Sequence, residues 1–289
     1  MSEVRVLRRI TDELARATGD GSLRDGEATA LWAAVSGMKS AEVWLTRDSE
    51  ASPDVVGRFW KAVDQRKRGV PFAYVVGSVG FRTLDLAIDR RALIPRPETE
   101  GLVDLVLARC STGLVADVGT GCGCIALALA MEGQFDKVVA VERSAGAAAL
   151  ARENVKRLSP KTPVEIREGN LLAPLVDRGV RYRAIVSNPP YLTAREYDEL
   201  DRSVAEFEPR EALVSGSDGL DATRSLFAGA AALLEPGGLL AVEIDERRAD
   251  AIRSLGRAYG WDVAIHADVF GCPRYALATP GRGPGDGKF

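Results

Sequence analysis

The sequence predicts an α/β protein: a doubly wound sheet, preceded by a small helical N-terminal domain and a β-hairpin linker. Three observations carry that expectation. From Leu114 onward, short apolar runs alternate with helical stretches, the pattern of successive βα units building a parallel sheet. The runs LVADV, KVVAV and RAIVS are apolar nearly throughout rather than alternating, as strands buried on both faces should be. The residues before about position 70 read instead as helices.

In the helical part, Val4, Leu7, Ile10 and Leu14 recur at helical spacing, with Arg and Glu between them. A second helix is expected from Asp25 to Met38. A third runs from Pro53 to Arg68, opened by Ser52 as N-cap and a proline in the first turn. Gly80 to Ile88, GFRTLDLAI, alternates apolar and polar residues as a hairpin would. The next stretch, LIPRPETE, carries two prolines two residues apart and reads as a stiff linker into a helix from Thr99 to Ala108. The strands LVADV, KVVAV, VEIRE, RAIVS, LLAVEI, WDVAIHA and RYALAT then follow in order. Helices CIALALAME and SAGAAALARENVKRL separate the first three. The expected partition is a helical recognition domain at 1–76, hairpin and linker at 77–98, the sheet domain at 99–280, and a Gly/Pro-rich tail, 281–289, expected to be disordered. No internal repeat is visible.

Composition narrows the function. Of 289 residues, 46% are hydrophobic and 27% charged, which suits a globular protein with a substantial core. The formal net charge of -3 disfavours a nucleic-acid partner, which would usually demand a basic surface. The N-terminal segment is charged and amphipathic, without the apolar centre of a signal peptide, and no apolar stretch is long enough to span a bilayer. Cys110, Cys122, Cys124 and Cys272 are too few and scattered for a disulfide framework. With His266 the only histidine, no metal site is expected. The expected location is a reducing cytoplasm.

Two segments carry chemistry. After LVADV comes Asp117-Val118-Gly119-Thr120-Gly121-Cys122-Gly123, a turn in which glycines let the backbone bend sharply and approach a ligand. Its spacing is G-x-G-x-G, so it departs from the dinucleotide fingerprint, and a lone glycine-rich loop is a weak signal. Glu142 strengthens it: it closes the next strand, where an acid can accept both ribose hydroxyls of an adenosine. A helix N-terminal charge would explain Glu142 equally well on its own. No Gly-Lys-Ser/Thr phosphate cradle is present, so adenosine without a phosphate site points to S-adenosylmethionine.

The second segment is SNPPY, Ser187 to Tyr191, at the carboxyl end of RAIVS and so on the same crevice as the glycine turn. A rigid stop with a turn-forming Asn accounts for Pro189 and Pro190. It leaves the flanking amide and aromatic ring unexplained. An amide nitrogen is a poor nucleophile, and an enzyme helps it by accepting hydrogen bonds from both of its N–H groups. The side-chain oxygen of Asn188 is one acceptor, and the proline-stiffened carbonyl of Pro189 is a second. Tyr191 would stack on the planar group or on the sulfonium.

These segments, taken together, resemble the release-factor glutamine methyltransferases, the HemK-like family. The resemblance rests on RDGEATALWAAVSG, RGVPFAYVVGSVGF, LIPRPETE, DVGTGCGCIALALA, VSNPPY, FEPREALVSGSDGL, LLEPGGLLAVEI and DVFGCPR, in that order over nearly the whole chain. It implies a class I methyltransferase (Rossmann-like) sheet behind a helical domain, and N-methylation of the Gly-Gly-Gln glutamine of peptide-chain release factors. It implies S-adenosylmethionine at Asp117, Gly119, Thr120, Gly121, Gly123, Glu142, Asn170, Leu171 and Asn188. The acceptor amide would lie against Asn188, Pro189, Pro190 and Tyr191, with Pro95, Arg96, Pro97 and Glu98 lining the site.

Two departures bear on the substrate. Asn170 stands where the family usually has Asp, and its carbonyl oxygen can still accept from an adenine amine. Asp245 stands where many relatives have glycine, and with Glu243 it would form a carboxylate pair suited to a cation. That pair motivates an alternative acceptor, a free small molecule such as the guanidine of arginine. Solvated charges at a strand end would explain it as well. Adenine methylation on nucleic acid and a catalytically decayed scaffold are further readings, weakened by the acidic balance and by the intact SNPPY.

Overall fold

The computed structural model describes residues 8–177 and 179–281. Val4, Leu7 and the tail beyond Gly281 lie outside the described residues. The rest divides into two compact units, one of residues up to 78 together with 202–207, the other of 79–201 and 208 onward.

The first unit is helical because its apolar residues recur every three to four positions. Helices α1 (Ile10–Gly19), α2 (Asp25–Ser36), α3 (Ser40–Thr46), α4 (Pro53–Lys67) and α5 (Phe72–Val76) enclose a core built on Ile10, Leu31, Trp32, Val43, Phe59 and Val63. The Trp32 and Phe59 rings tilt against each other at 5.1 Å. A two-residue antiparallel ladder joins β1 (Arg8–Arg9) to β2 (Glu50–Ala51). Helix α2 stops before Met38 because Gly37 takes the left-handed conformation that terminates it, at φ 74°. Pro53 opens α4 as expected, but the Ser52 hydroxyl makes no capping hydrogen bond.

The second unit begins with the hairpin β3 (Ser78–Phe81) and β4 (Leu84–Ala87), then α6 (Thr99–Arg109). Strands β5 (Leu114–Val118), β6 (Lys137–Glu142) and β7 (Val164–Glu168) alternate with α7 (Cys124–Glu132) and α8 (Ala145–Leu158). Strand β8 (Tyr182–Ser187) follows, then the short helices α9 (Ala194–Asp198) and α10 (Arg202–Ala205), the latter grouped with the first unit. Next come α11 (Asp221–Gly229), β9 (Leu234–Glu243), α12 (Ala249–Ala258), β10 (Trp261–Ala267) and β11 (Pro273–Pro280).

The seven-stranded sheet has the order β10-β11-β9-β8-β5-β6-β7. Strands β5 to β9 are mutually parallel. From β5 the chain winds to β6 and β7, then returns to β8 and winds the other way. The ends of β5 and β8 therefore flank the switch point where such sheets bind ligands. The last pair corrects a simple parallel expectation: β11 runs antiparallel to both β9 and β10. No helix separates WDVAIHA from RYALAT, and a short turn can only reverse the chain. VEIRE carries charges because β7 is the sheet edge and is only half-buried.

One face of the sheet packs Val118, Ile185 and Leu240 against Leu226, Phe227 and Trp261. The Trp261 indole N–H donates to the Phe227 carbonyl at 2.8 Å, so the buried ring has its partner. Helix α7 is buried almost all round, including Leu127 and Leu129. No helix among the described residues is long and apolar enough to cross a membrane. Truncation of the fully buried Leu127 to Ala should lower stability by about 2–5 kcal/mol, read as a lower urea midpoint.

Candidate active site

The glycine turn is fixed from beneath by Asp117. That carboxylate is fully buried, and its Oδ2 accepts from the Thr120 hydroxyl at 2.5 Å and the Ala126 N–H at 3.1 Å. Its other oxygen has no hydrogen-bond partner. Gly119, Gly121 and Gly123 all have positive φ, at 76°, 57° and 91°. A Cβ on Gly119 or Gly121 would meet no atom within 4 Å, and both residues line a cavity of about 430 Å³. A Cβ on Gly123 would instead press on Leu127 and Ala151, at 3.3 and 3.5 Å. Asp117, Thr120 and Gly123 therefore shape the turn from behind, while Gly119 and Gly121 face the space.

Glu142 holds the other side of the cavity. Its carboxylate accepts from the Gly121 N–H at 2.9 Å and from the Ser144 N–H at 2.8 Å. Ser144 caps α8, its hydroxyl accepting from the Ala147 N–H. A carboxylate has about four lone-pair directions, so two remain for a ligand's hydroxyls. Asn170 and Leu171 line the cavity beyond β7, with Leu171 held at φ 47°.

The SNPPY corner closes the third side. The Ser187 hydroxyl, fully buried, donates to the Val118 carbonyl at 2.7 Å and ties β8 to the glycine turn. Asn188 and Pro190 line the cavity. Pro189 is buried, and it and Tyr191 lie outside the lining. The backbone N–H groups of Tyr191 and Leu192 both donate to the Leu213 carbonyl, at 3.1 and 2.8 Å, so the corner is clamped to the FEPREALVSGSDGL stretch. Burial, reinforced by the nearby Glu243 charge, pushes the Tyr191 phenol up to about 12. The Asn188 amide Nδ2 donates to the Thr99 hydroxyl at 3.1 Å.

The linker and the strand-end acids sit differently from the expectation. None of Pro95, Arg96, Pro97 and Glu98 lines the cavity; Arg91, Ala92 and Leu93 do. Arg96 is bound to the buried Glu208 at 2.7 Å, Glu208 also takes the Ile94 N–H at 3.2 Å, and the Tyr275 hydroxyl donates to the Glu98 carbonyl at 2.5 Å. These contacts pin the linker's shape. Glu243 is only 2% exposed and does not face the cavity. Asp245 caps the turn after β9, accepting from the Arg247 N–H at 2.9 Å, and is paired with Arg247 and Arg248 at 2.6 and 3.5 Å. The expected carboxylate pair for a cation is therefore not formed: one member is buried and the other is already neutralised.

The cavity also takes Pro209, Glu211, Ser215 and Asp221, and the corner depends on Thr99. The motif FEPREALVSGSDGL contains Pro209, Glu211 and Ser215 and ends one residue before Asp221, but no periodicity or spacing says which of its residues faces inward. Thr99 opens α6 and resembles any helix-start threonine until the fold brings it to Asn188.

Burial pushes the Asp117 and Glu243 carboxyls up to about 7. A folded value above the unfolded one means that each contribution to stability is fully present below about pH 4 and is lost as pH rises through about 7. Asp117→Asn removes one titrating group, so its stability deficit relative to wild type should shrink between about pH 5 and about pH 8, measured by urea unfolding at each pH.

Comparisons with known proteins agree with this architecture. The model described as "Methyltransferase small domain" matches residues 98–206, and "PrmC N-terminal domain" matches 5–77. A release factor glutamine methyltransferase from Xylella fastidiosa is 40% identical over 94% of this chain and 97% of its own. One from Moorella thermoacetica is 43% identical over 74% of this chain and 75% of its own. Among solved structures, a methyltransferase from Pyrococcus furiosus superposes with a TM-score of 0.52 at 20% identity, covering 69% of this chain and 89% of that one, a likeness of fold alone. At such identity over almost the full length of both chains, the chain belongs to the release factor glutamine methyltransferase family.

Proposed function

We propose that this protein transfers a methyl group from S-adenosylmethionine to the side-chain amide nitrogen of a glutamine in a peptide-chain release factor. The reading follows from family membership together with one observation, the Asn188 carboxamide. It borders the cavity beside the glycine turn, and its Nδ2 is already donating to Thr99, which leaves its oxygen as an acceptor.

The residues present fit the cofactor. Glu142 keeps free lone pairs for ribose hydroxyls, Gly119 and Gly121 leave room where side chains would intrude, and Asn170 supplies an amide oxygen. Arg91 of the lining is already paired with Asp89 and Glu153, so it offers little to a phosphate. Glu142, Gly119, Gly121, Asn170 and Leu171 would hold the cofactor, with Asp117, Thr120 and Gly123 shaping their turn. When bound, S-adenosylmethionine supplies an electrophilic methyl group.

The protein's own part is positioning. Asn188 Oδ1 and the Pro189 carbonyl accept the two N–H bonds of the substrate amide, which fixes the plane of its nitrogen. No strong base is needed, because the proton departs only after the nitrogen has gained positive charge. Pro190 and Tyr191 keep the corner stiff and apolar. The linker borders the cavity at Leu93 and is braced behind it by the Arg96–Glu208 pair, and the helical unit serves recognition of the protein substrate. A release-factor substrate implies action in the cytoplasm. The arginine alternative loses its motive, since Glu243 and Asp245 form no open acidic pair.

Asn188→Ala should abolish methyl transfer to purified release factor, followed by mass spectrometry, while cofactor affinity by calorimetry stays within about threefold. Methylation of free arginine in place of the release factor would overturn the substrate assignment.

A further inference from the structure

We infer that Thr99 and Glu243 are positioning residues, which hold the Asn188 carboxamide in the one orientation that turns its oxygen toward the substrate. The inference deepens the proposed function and rests on its use of Asn188 as an acceptor.

A carboxamide is nearly symmetric in shape. Rotating it by half a turn exchanges an acceptor for two donors without changing its packing. At a site meant to receive an NH₂ group, the flipped form presents donors to donors. Packing cannot prevent this; only hydrogen-bond partners can.

The partners are in place. Strands β8 and β9 pair in parallel with Ser187 opposite Val242, so the next residues, Asn188 just past β8 and Glu243 closing β9, stand side by side at the strand ends. Thr99 comes from the first turn of α6, and its hydroxyl lies 3.1 Å from Asn188 Nδ2. A hydroxyl can donate or accept, so Thr99 alone does not choose between the two orientations. Glu243 makes the choice. The side chains of Thr99 and Asn188 both favour its charged form. An ionised carboxylate only accepts, so it draws the Thr99 O–H toward itself and leaves the Thr99 lone pair for the Asn188 N–H, which is 3.1 Å away.

Glu243 is an expensive residue to bury for structure alone. It is 2% exposed, and one of its oxygens has no hydrogen-bond partner. An apolar side chain would fill the position at lower cost. The groups facing it are Thr99 and Glu98 from the start of α6, Asn188 and Tyr191 from the corner, and Arg274 and Tyr275 from β11. Arg274 favours its charge, and Glu98 opposes it. Its carboxyl is raised to about 7, so protonation frees the Thr99 hydroxyl and removes the preference for one orientation.

The test measures release-factor methylation by wild type, Thr99→Val, Thr99→Ser, Glu243→Gln and Asn188→Ala, with cofactor affinity by calorimetry as the check on folding. Thr99→Val, which keeps the shape and loses the hydroxyl, is expected to lower kcat by about tenfold or more, with cofactor affinity within about twofold. Thr99→Ser should restore most of that loss. Wild-type kcat should fall as pH drops through about 7, and this acid limb should vanish in Glu243→Gln. Undiminished kcat in Thr99→Val beside an inactive Asn188→Ala overturns the inference alone, as does an acid limb retained in Glu243→Gln. Thr99→Ser as poor as Thr99→Val marks a packing role and also overturns it. Undiminished turnover in Asn188→Ala overturns the proposed function and the inference with it.

Discussion

Carboxylates at the carboxyl ends of parallel strands hold the loops that make the cavity. Each such strand delivers backbone N–H groups at its end that no longer have a ladder partner. Asp117 answers on β5 by taking the Thr120 hydroxyl and the Ala126 N–H. Glu142 answers on β6 by taking the N–H groups of Gly121 and Ser144. Glu243, at the end of β9, turns instead to the side chains around Asn188. The protein's own hydrogen bonds thus hold the loops in shape, as catalysis by positioning requires.

That arrangement explains why charged residues are tolerated at depth. Burial opposes ionisation at Asp117 and Glu243 and lifts both toward neutrality. The N–H and O–H donors placed against them pull the other way. The site therefore balances near the point where a proton can be gained or lost. A chemistry that needs no strong base can use such groups for orientation.

The outer supports follow the same logic. Glu208, buried, grips both Arg96 and the Ile94 backbone. Leu213 receives two N–H groups from the Tyr191 and Leu192 backbone. A proline-rich corner lacks donors of its own, and the next residues must find acceptors elsewhere. Segments separated by many residues are joined through these few polar contacts rather than through apolar packing alone.

Much of this was legible in the residues. The apolar runs fixed the strands because burial on both faces leaves no room for alternation. The glycine turn, Glu142 and SNPPY were visible as a cluster at the carboxyl ends of strands, since parallel topology brings those ends together. Short helices such as α3, α9 and α11 were not, because a few turns carry too little periodicity to stand out. The antiparallel final pair was missed as a direction, although both strands were expected. Apolar runs and motif order by themselves therefore pointed to the parallel part of the sheet, to an adenosine cofactor as the ligand class, and to the corner proposed to hold the acceptor. Tertiary structure alone decided which groups face inward: that Glu243 is buried against Thr99 and Asn188, that Asp245 is spent on arginines, and that Arg96 braces a loop. Those outcomes depend on distances between residues far apart in the chain, and no local pattern encodes such distances.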